Sequence, residues 1–327
     1  MKPPDYTQKI ATADVYRIAE RTPLDHASLL SRRLGNEVLL KREDLQPYFS
    51  FKLRGAANKL NQLPAATLAK GVICSSAGNH AQGVALAARE KGVKAIIVMP
   101  ATTPGIKVDA VRMLGGEVIL HGDNYDAAFA RAKQLQEELG LAFIHPFDDP
   151  DVIAGQGTVG KELLEQCTAA PDAVFVPIGG GGLISGIATW LKTHSPGTRI
   201  IGVEAEESAG MQASLAAGHP VILDHVGIFA DGVAVRRIGD ETFRLCQQLV
   251  DDIVIVDTDQ ICAAVQGIFE DTRSIVEPAG ALAVAGLKQY VSDTGERNKS
   301  FVAINSGANV NFDRLRHIAE RAALGEH

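Results

Sequence analysis

Cysteine is scarce: Cys74, Cys167, Cys246 and Cys262 are the four in 327 residues, and none forms a CxxC pair. That spacing argues against a disulfide framework or a zinc site and predicts buried free thiols. An excess of basic charge is missing too. With 32 Lys and Arg against 39 Asp and Glu, the formal net charge is -7, which aids solubility and argues against a nucleic-acid binder, which would want a basic patch. No apolar run is long enough to span a bilayer, so no membrane partner is expected. The first twenty residues lack an apolar signal core and carry Asp5, Asp14 and Glu20. No secretory or organellar address is read there, and the cytoplasm is the expected compartment. Low-complexity linkers and short-period repeats are also lacking. What remains is an ordinary globular composition, 46% hydrophobic and 22% charged, in a chain long enough for one large or two medium domains.

The apolar pattern alternates between short uninterrupted runs and amphipathic stretches. Strands are predicted at residues 37–41, 71–74, 95–99, 118–120, 142–144, 173–176, 199–203 and 300–304. Helices are predicted after Ser50 as N-cap, from Gly78-Asn79-His80, over 107–114, 125–139, 155–167 and 183–192, and near 240–250, 258–270 and 279–290. Arg42-Glu43-Asp44-Leu45-Gln46-Pro47 reads as a charged loop. Wholly apolar strands between helices mean parallel sheets covered on both faces. The fold class is therefore α/β, with two doubly wound lobes and ligand groups at the carboxyl ends of strands.

Four stretches stand out, and three of them directly follow predicted strands. Gly179, Gly180, Gly181 and Gly182 lie between a strand and a helix, where backbone N–H groups free of any Cβ can close around an anion, a phosphate above all. Ile184 and Ser185 stand where GxGxxG needs its third glycine, and GK[ST] is absent. Glu204 ends the next strand at about the separation of a ribose-binding acid, which keeps a dinucleotide reading open. Ser75-Ser76-Ala77-Gly78-Asn79-His80 either caps its helix or receives a carboxylate there. His80 reads as a packed or hydrogen-bonded histidine, with no second ligand at metal spacing. Ser306 before Gly307 is a turn serine or a site residue. Glu277 before Pro278 reads as a helix cap. Lys52, in Ser50-Phe51-Lys52-Leu53-Arg54-Gly55, is alone a solvated lysine of a first helical turn. Beside an anion cradle and a carboxylate-sized nest, it becomes the amine that pyridoxal phosphate (PLP) needs for its aldehyde.

These stretches resemble the fold-type II PLP enzymes, and most closely the catalytic domain of the biosynthetic threonine deaminases (threonine ammonia-lyases). The resemblance also covers Lys41-Arg42-Glu43-Asp44, Ile153-Ala154-Gly155-Gln156-Gly157-Thr158, Ala230-Asp231-Gly232-Val233-Ala234-Val235 and Ser306-Gly307-Ala308-Asn309-Val310-Asn311-Phe312. It implies a large PLP-binding domain of residues 1–52 and 148–327 and a small domain of residues 53–147. It implies β-elimination from L-threonine to 2-oxobutanoate and ammonia, the first step towards isoleucine, with L-serine to pyruvate as a side activity. By the same resemblance, Lys52 forms a Schiff base with the cofactor and then removes the Cα proton. Phe51 packs beside the ring and Asn79 bonds its 3′-oxygen. Gly179, Gly180, Gly181, Gly182 and Leu183 hold the phosphate, and Ser306 meets the pyridine nitrogen. Ser76, Ala77, Asn79 and His80 surround the substrate carboxylate. A homo-oligomer, dimer or tetramer, is implied as well.

Three departures bear on function. Related serine racemases carry a serine where this chain has Ala77, and alanine cannot move a proton, so a one-base lyase with little racemase activity is expected. Racemase-like relatives have a divalent-cation site near Glu204, but Ser208-Ala209-Gly210 lacks the second carboxylate, so no metal is expected. The biosynthetic enzymes continue into a regulatory domain that senses isoleucine and valine. This chain stops near that junction, so no such domain and no isoleucine feedback are expected. The rival readings are a serine or 3-hydroxyaspartate dehydratase or racemase of the same fold, an NAD- or nucleotide-binding protein, and a non-catalytic metabolite sensor.

Overall fold

Among the residues described by the computed structural model, 4–325, ten strands form two sheets. The first three residues and the last two, Glu326 and His327, lie outside the described residues. The strands are β1 (Leu24–His26), β2 (Glu37–Arg42), β3 (Val72–Ser75), β4 (Ala95–Met99), β5 (Glu117–Leu120), β6 (Ala142–Phe143), β7 (Ala173–Pro177), β8 (Arg199–Ala205), β9 (Asp252–Val256) and β10 (Ser300–Asn305). The larger sheet has the order β1-β2-β10-β7-β8-β9 and the smaller β5-β4-β3-β6. Every pairing is parallel except β1 with β2. All five residues of β4 and of β7 are buried, as strands covered on both faces require.

The covering helices are α1 (Tyr6–Ala11), α2 (Ser28–Leu34), α3 (Lys52–Gln62), α4 (Ala65–Leu68), α5 (Asn79–Lys91), α6 (Gly105–Met113), α7 (Tyr125–Leu139), α8 (Pro150–Gln166), α9 (Gly182–His194), α10 (Gly210–Ala217), α11 (Asp240–Leu249), α12 (Thr258–Thr272), α13 (Pro278–Thr294) and α14 (Leu315–Ala322). Local chemistry sets several ends. Asn124 caps α7 by accepting from the Ala127 amide, and Gly140 closes it in the left-handed region at φ 64°; only glycine enters that region freely. Asp257 and Gln260 form a capping box at α12. No element is predicted at helices α2, α4, α10 and α14 or at the edge strands β1 and β9, although β9 carries the apolar run Ile253-Val254-Ile255-Val256. Likewise α8 begins at Pro150, capped by Asp149, five residues before the sequence pattern places it.

Small residues bring α3, α8 and α9 together. A Cβ on Gly155 would lie 2.6 Å from the Arg54 carbonyl oxygen, and one on Gly186 would lie 2.5 Å from the amide of Gly157. Against this packing sits a buried charge cluster. Arg54 donates to Glu43 at 2.7 Å and to Glu162 at 2.6 Å, and Lys41 donates to Glu162 at 2.6 Å, all four side chains without solvent exposure. The stretch expected as a charged loop is thus an interior one. Arg42, Glu43 and Asp44 are buried because each finds an opposite charge, the condition for burying ions. No helix among the described residues is long and apolar enough to cross a membrane.

Candidate active site

The carboxyl ends of β3, β6 and β10 converge on one cleft of about 1430 Å³, whose wall includes Lys52, Ser76, Ala77, Asn79, His80 and Glu277. Lys52 is the first residue of α3. Ser50 does not cap this helix. Its backbone is extended and bridges to Gly307, and Phe51 holds the cap position without a side-chain bond. The Phe51 amide donates to the Ser306 carbonyl at 3.2 Å, which ties the start of α3 to the end of β10. The ammonium of Lys52 donates to the Pro146 carbonyl at 3.2 Å and sits 5.3 Å from the Phe51 ring centroid. Burial pulls its pKa down to about 8, against the opposing charge of Glu277, so a neutral amine is accessible near physiological pH.

The N-terminus of α5 is open to the cleft. Gly78 occupies the cap position and no side chain bonds the first turn. Ser76 Oγ accepts only from the Gly78 amide, at 3.2 Å, and the buried Ser75 Oγ has no partner. The capping alternative for this stretch therefore fails, and the free N–H groups remain for an anion. His80 is buried, with Nε2 2.9 Å from the Ile144 carbonyl. Burial, then the charge of Lys52, pushes its pKa down to about 3, so its ring is neutral. Glu277 stands at the cap position of α13 but does not cap it. Its carboxylate instead accepts from Asn79 Nδ2 at 2.7 Å. Burial, then the charge of Asp231, raises its pKa to about 7.

The glycine turn has the same openness. Gly181 adopts φ 92° and no side chain caps α9. A Cβ at 179 would press on Val233, at 180 and 182 on Phe147, and at 181 on Met211 and Thr242. Every position needs glycine for its own contact. Phe51, Leu183, Ser306 and the four glycines are not part of the cleft wall. Phe147, which is part of it, packs against Gly180 and Gly182. Ser306 is buried with its Oγ 3.3 Å from the Ala279 carbonyl. Beside it, both amide atoms of buried Asn305 lack partners.

A fifth element escaped the sequence reading: the turn from His145 to Asp149 that follows β6. Pro146 supplies the carbonyl for Lys52, and Phe147 abuts the glycine turn. Asp148 accepts from the amides of Asp240, Glu241 and Thr242 at the start of α11. Nδ1 of His145 accepts from the amides of Phe147 and Asp148 at 3.3 and 2.8 Å, which places the ring proton on Nε2. The available signal was a His-Pro pair after a strand, at the sheet end where ligands bind. Glu204 proves to be structural. Its carboxylate accepts from the Met211 and Gln212 amides at 2.8 Å each. That use removes the ribose-binding acid on which the dinucleotide reading depended. Among the described residues, no group of three or more His, Cys, Asp or Glu could hold a metal.

PLP requires an amine for its aldehyde, amides for its phosphate, and hydrogen-bonding groups for its ring. The half-buried Lys52 amine, the two uncapped helix ends and the unpartnered Ser75 hydroxyl fit those demands. Fold and site together define an α/β enzyme built around an amine-bound cofactor. The family described as pyridoxal-phosphate dependent enzyme matches residues 15–307, and the chain belongs to that family and depends on that cofactor. It is 58% identical over 325 residues to the biosynthetic L-threonine dehydratase of Burkholderia multivorans, covering 98% of this chain and 64% of that one. The chain spans roughly half to two thirds of the length of the curated relatives it matches. Among solved structures, the processed form of threonine deaminase isoform 2 from Solanum lycopersicum superimposes with a TM-score of 0.95 at 50% identity, over 97% of this chain and 92% of that one. Maize serine racemase does so with 0.90 at 34% identity, over 98% and 99%.

Proposed function

We propose that this chain carries the catalytic activity of a threonine ammonia-lyase, converting L-threonine to 2-oxobutanoate and ammonia, with L-serine to pyruvate as a side activity. The observation that carries the proposal is the half-buried Lys52 amine, held in one cleft with the uncapped N-terminus of α5. Support also comes from the identity to biosynthetic threonine dehydratases over nearly the whole chain. When bound, the cofactor draws electron density away from the substrate Cα.

The chain's own residues do the rest. Neutral Lys52 takes the Cα proton at Nζ, the Cβ–O bond breaks as the hydroxyl takes up a proton and departs as water, and water then hydrolyses the released aminocrotonate to 2-oxobutanoate and ammonia. The free N–H groups of Ala77, Asn79 and His80 would receive the substrate carboxylate, with Ser76, whose own N–H donates to the Val98 carbonyl, offering its hydroxyl. Asn79 would donate to the cofactor ring oxygen, and Phe51 would flank the ring. Gly179, Gly180, Gly181, Gly182 and Leu183 would present amides to the phosphate, while Ser306 would meet the ring nitrogen. Ala77 on the cleft wall can neither give nor take a proton, which favours elimination over racemisation. We further take residues 1–52 with 148–327 and residues 53–147 as the two domains, the cytoplasm as the compartment, and a homo-oligomer as the working form.

Steady-state turnover on L-threonine, L-serine and 3-hydroxyaspartate, read as oxo-acid release, tests the proposal. The highest kcat/KM is expected on threonine. Preference for either other substrate would reassign the enzyme within the fold. A yellow protein without turnover on any of them would make it a sensor.

A further inference from the structure

Asn79 is held at both ends of its amide. Nδ2 donates to Glu277 Oε1 at 2.7 Å, and Oδ1 accepts from Asn309 Nδ2 at 2.7 Å. The Asn309 amide cannot turn over in its turn, because its Nδ2 also donates to the Tyr48 carbonyl at 2.9 Å. Both N–H groups of Asn309 thus go to oxygen acceptors. A flipped Asn79 would set N–H against N–H at Asn309 and oxygen against the carboxylate of Glu277. Two mismatches in a partly buried network make that orientation costly.

The Tyr48 carbonyl owes its direction to unusual backbone. Tyr48 and the next residue, Phe49, lie in the left-handed region at φ 59° and 62°, unfavourable for bulky side chains. Such geometry persists only where the surroundings over-determine it. Here the Phe49 carbonyl accepts from Ala308 at 2.9 Å, and Ser50 bridges Gly307. The far end of the network is equally built. A Cβ on Gly307 would come within 2.5 Å of Glu277 Oε1, so glycine at 307 is what leaves room for the buried carboxylate.

We propose that Glu277, together with Asn309 and the Tyr48 carbonyl, is the positioning residue that fixes which end of the Asn79 amide meets the cofactor. Asn79 then has one N–H left for the ring oxygen, which as an acceptor requires a donor. This rests on the reading of Asn79 as the ring-oxygen partner. It assigns Glu277 a role beyond the cap position that its place before Pro278 predicts.

The test uses the PLP-loaded protein and two readouts besides turnover: the absorption maximum of the bound cofactor and the apparent dissociation constant for PLP. Glu277→Leu and Asn79→Ala should each weaken PLP binding about tenfold, the scale of one lost hydrogen bond to a charged partner, and should shift the absorption band alike. The double variant should bind no worse than Asn79→Ala, since Glu277 acts through Asn79. Glu277→Gln, which keeps an oxygen for Asn79, should recover most of the band position. Losses that multiply in the double variant, or a Glu277→Leu band unchanged from the parent, would overturn the proposal. Urea midpoints of each variant separate misfolding from mispositioning. Borohydride fixation of the cofactor to Lys52 in the parent checks the underlying site separately.

Discussion

Lys52 is half-buried, its ammonium set on one carbonyl oxygen beside the Phe51 ring with part of its water removed. That environment disfavours its charged form, and capture of an aldehyde requires the neutral one. The lowered pKa of about 8 therefore gives capture a direction in pH. The rate at which cofactor-free protein takes up PLP should rise as pH increases through about 8 and level off above it, measured by stopped-flow absorbance. A profile still climbing towards pH 10.5, the ordinary value for lysine, would mean that the amine is solvated. Lys52→Ala should abolish borohydride fixation and reduce threonine turnover to background. Ala77 makes the opposite kind of prediction, because it contributes no proton. D-isomer formation from L-threonine or L-serine, followed by chiral chromatography, should stay far below oxo-acid release, and comparable rates would remove alanine as the reason for elimination.

At the scale of elements, the site depends on helices brought closer than side chains normally allow. Gly186 of α9 faces Gly157 and Ile153 of α8, where an added methyl would meet backbone atoms at 2.5 Å. Helix propensity alone favours Gly186→Ala by ~1 kcal/mol. Overpacking against backbone costs about 1–3 kcal/mol and has no flexible neighbour to absorb it, so the variant should be net destabilised, read as a lowered urea midpoint. The glycines of Ile153-Ala154-Gly155-Gln156-Gly157-Thr158 have this physical meaning, which no periodicity announces. By contrast, the bounds of α7 and β4 follow directly from their apolar patterns. Where the reading from sequence fell short, a distant partner had intervened. Ser50 pairs with Gly307 in place of capping α3, and Glu277 turns to Asn79 in place of α13.

Across the whole molecule, the charge cluster of Arg54, Glu43, Glu162 and Lys41 joins β2, α3 and α8 behind the cleft. Removing one member strands an opposite charge in the interior, so Arg54→Met should lower stability by about 3–5 kcal/mol in urea unfolding. The Arg236–Asp126 pair spans the cleft at 3.0 Å but is 48% and 66% exposed; Asp126→Ala should change stability by no more than about 1 kcal/mol. A charged run reads the same in sequence whether water or a counter-ion solvates it, which is why Arg42-Glu43-Asp44 reads only as a charged loop. The sequence alone determined the alternation of buried strands and helices, the glycine turn after β7 and the polar loops at strand ends, because these are properties of neighbouring residues. Only the tertiary structure decided which loops share a cleft, that the His145 to Asp149 turn joins Lys52 to the glycine turn, and that Glu277 and Asn309 hold Asn79. Those outcomes are set by contacts between residues as many as 261 positions apart, whose pairing no local pattern encodes.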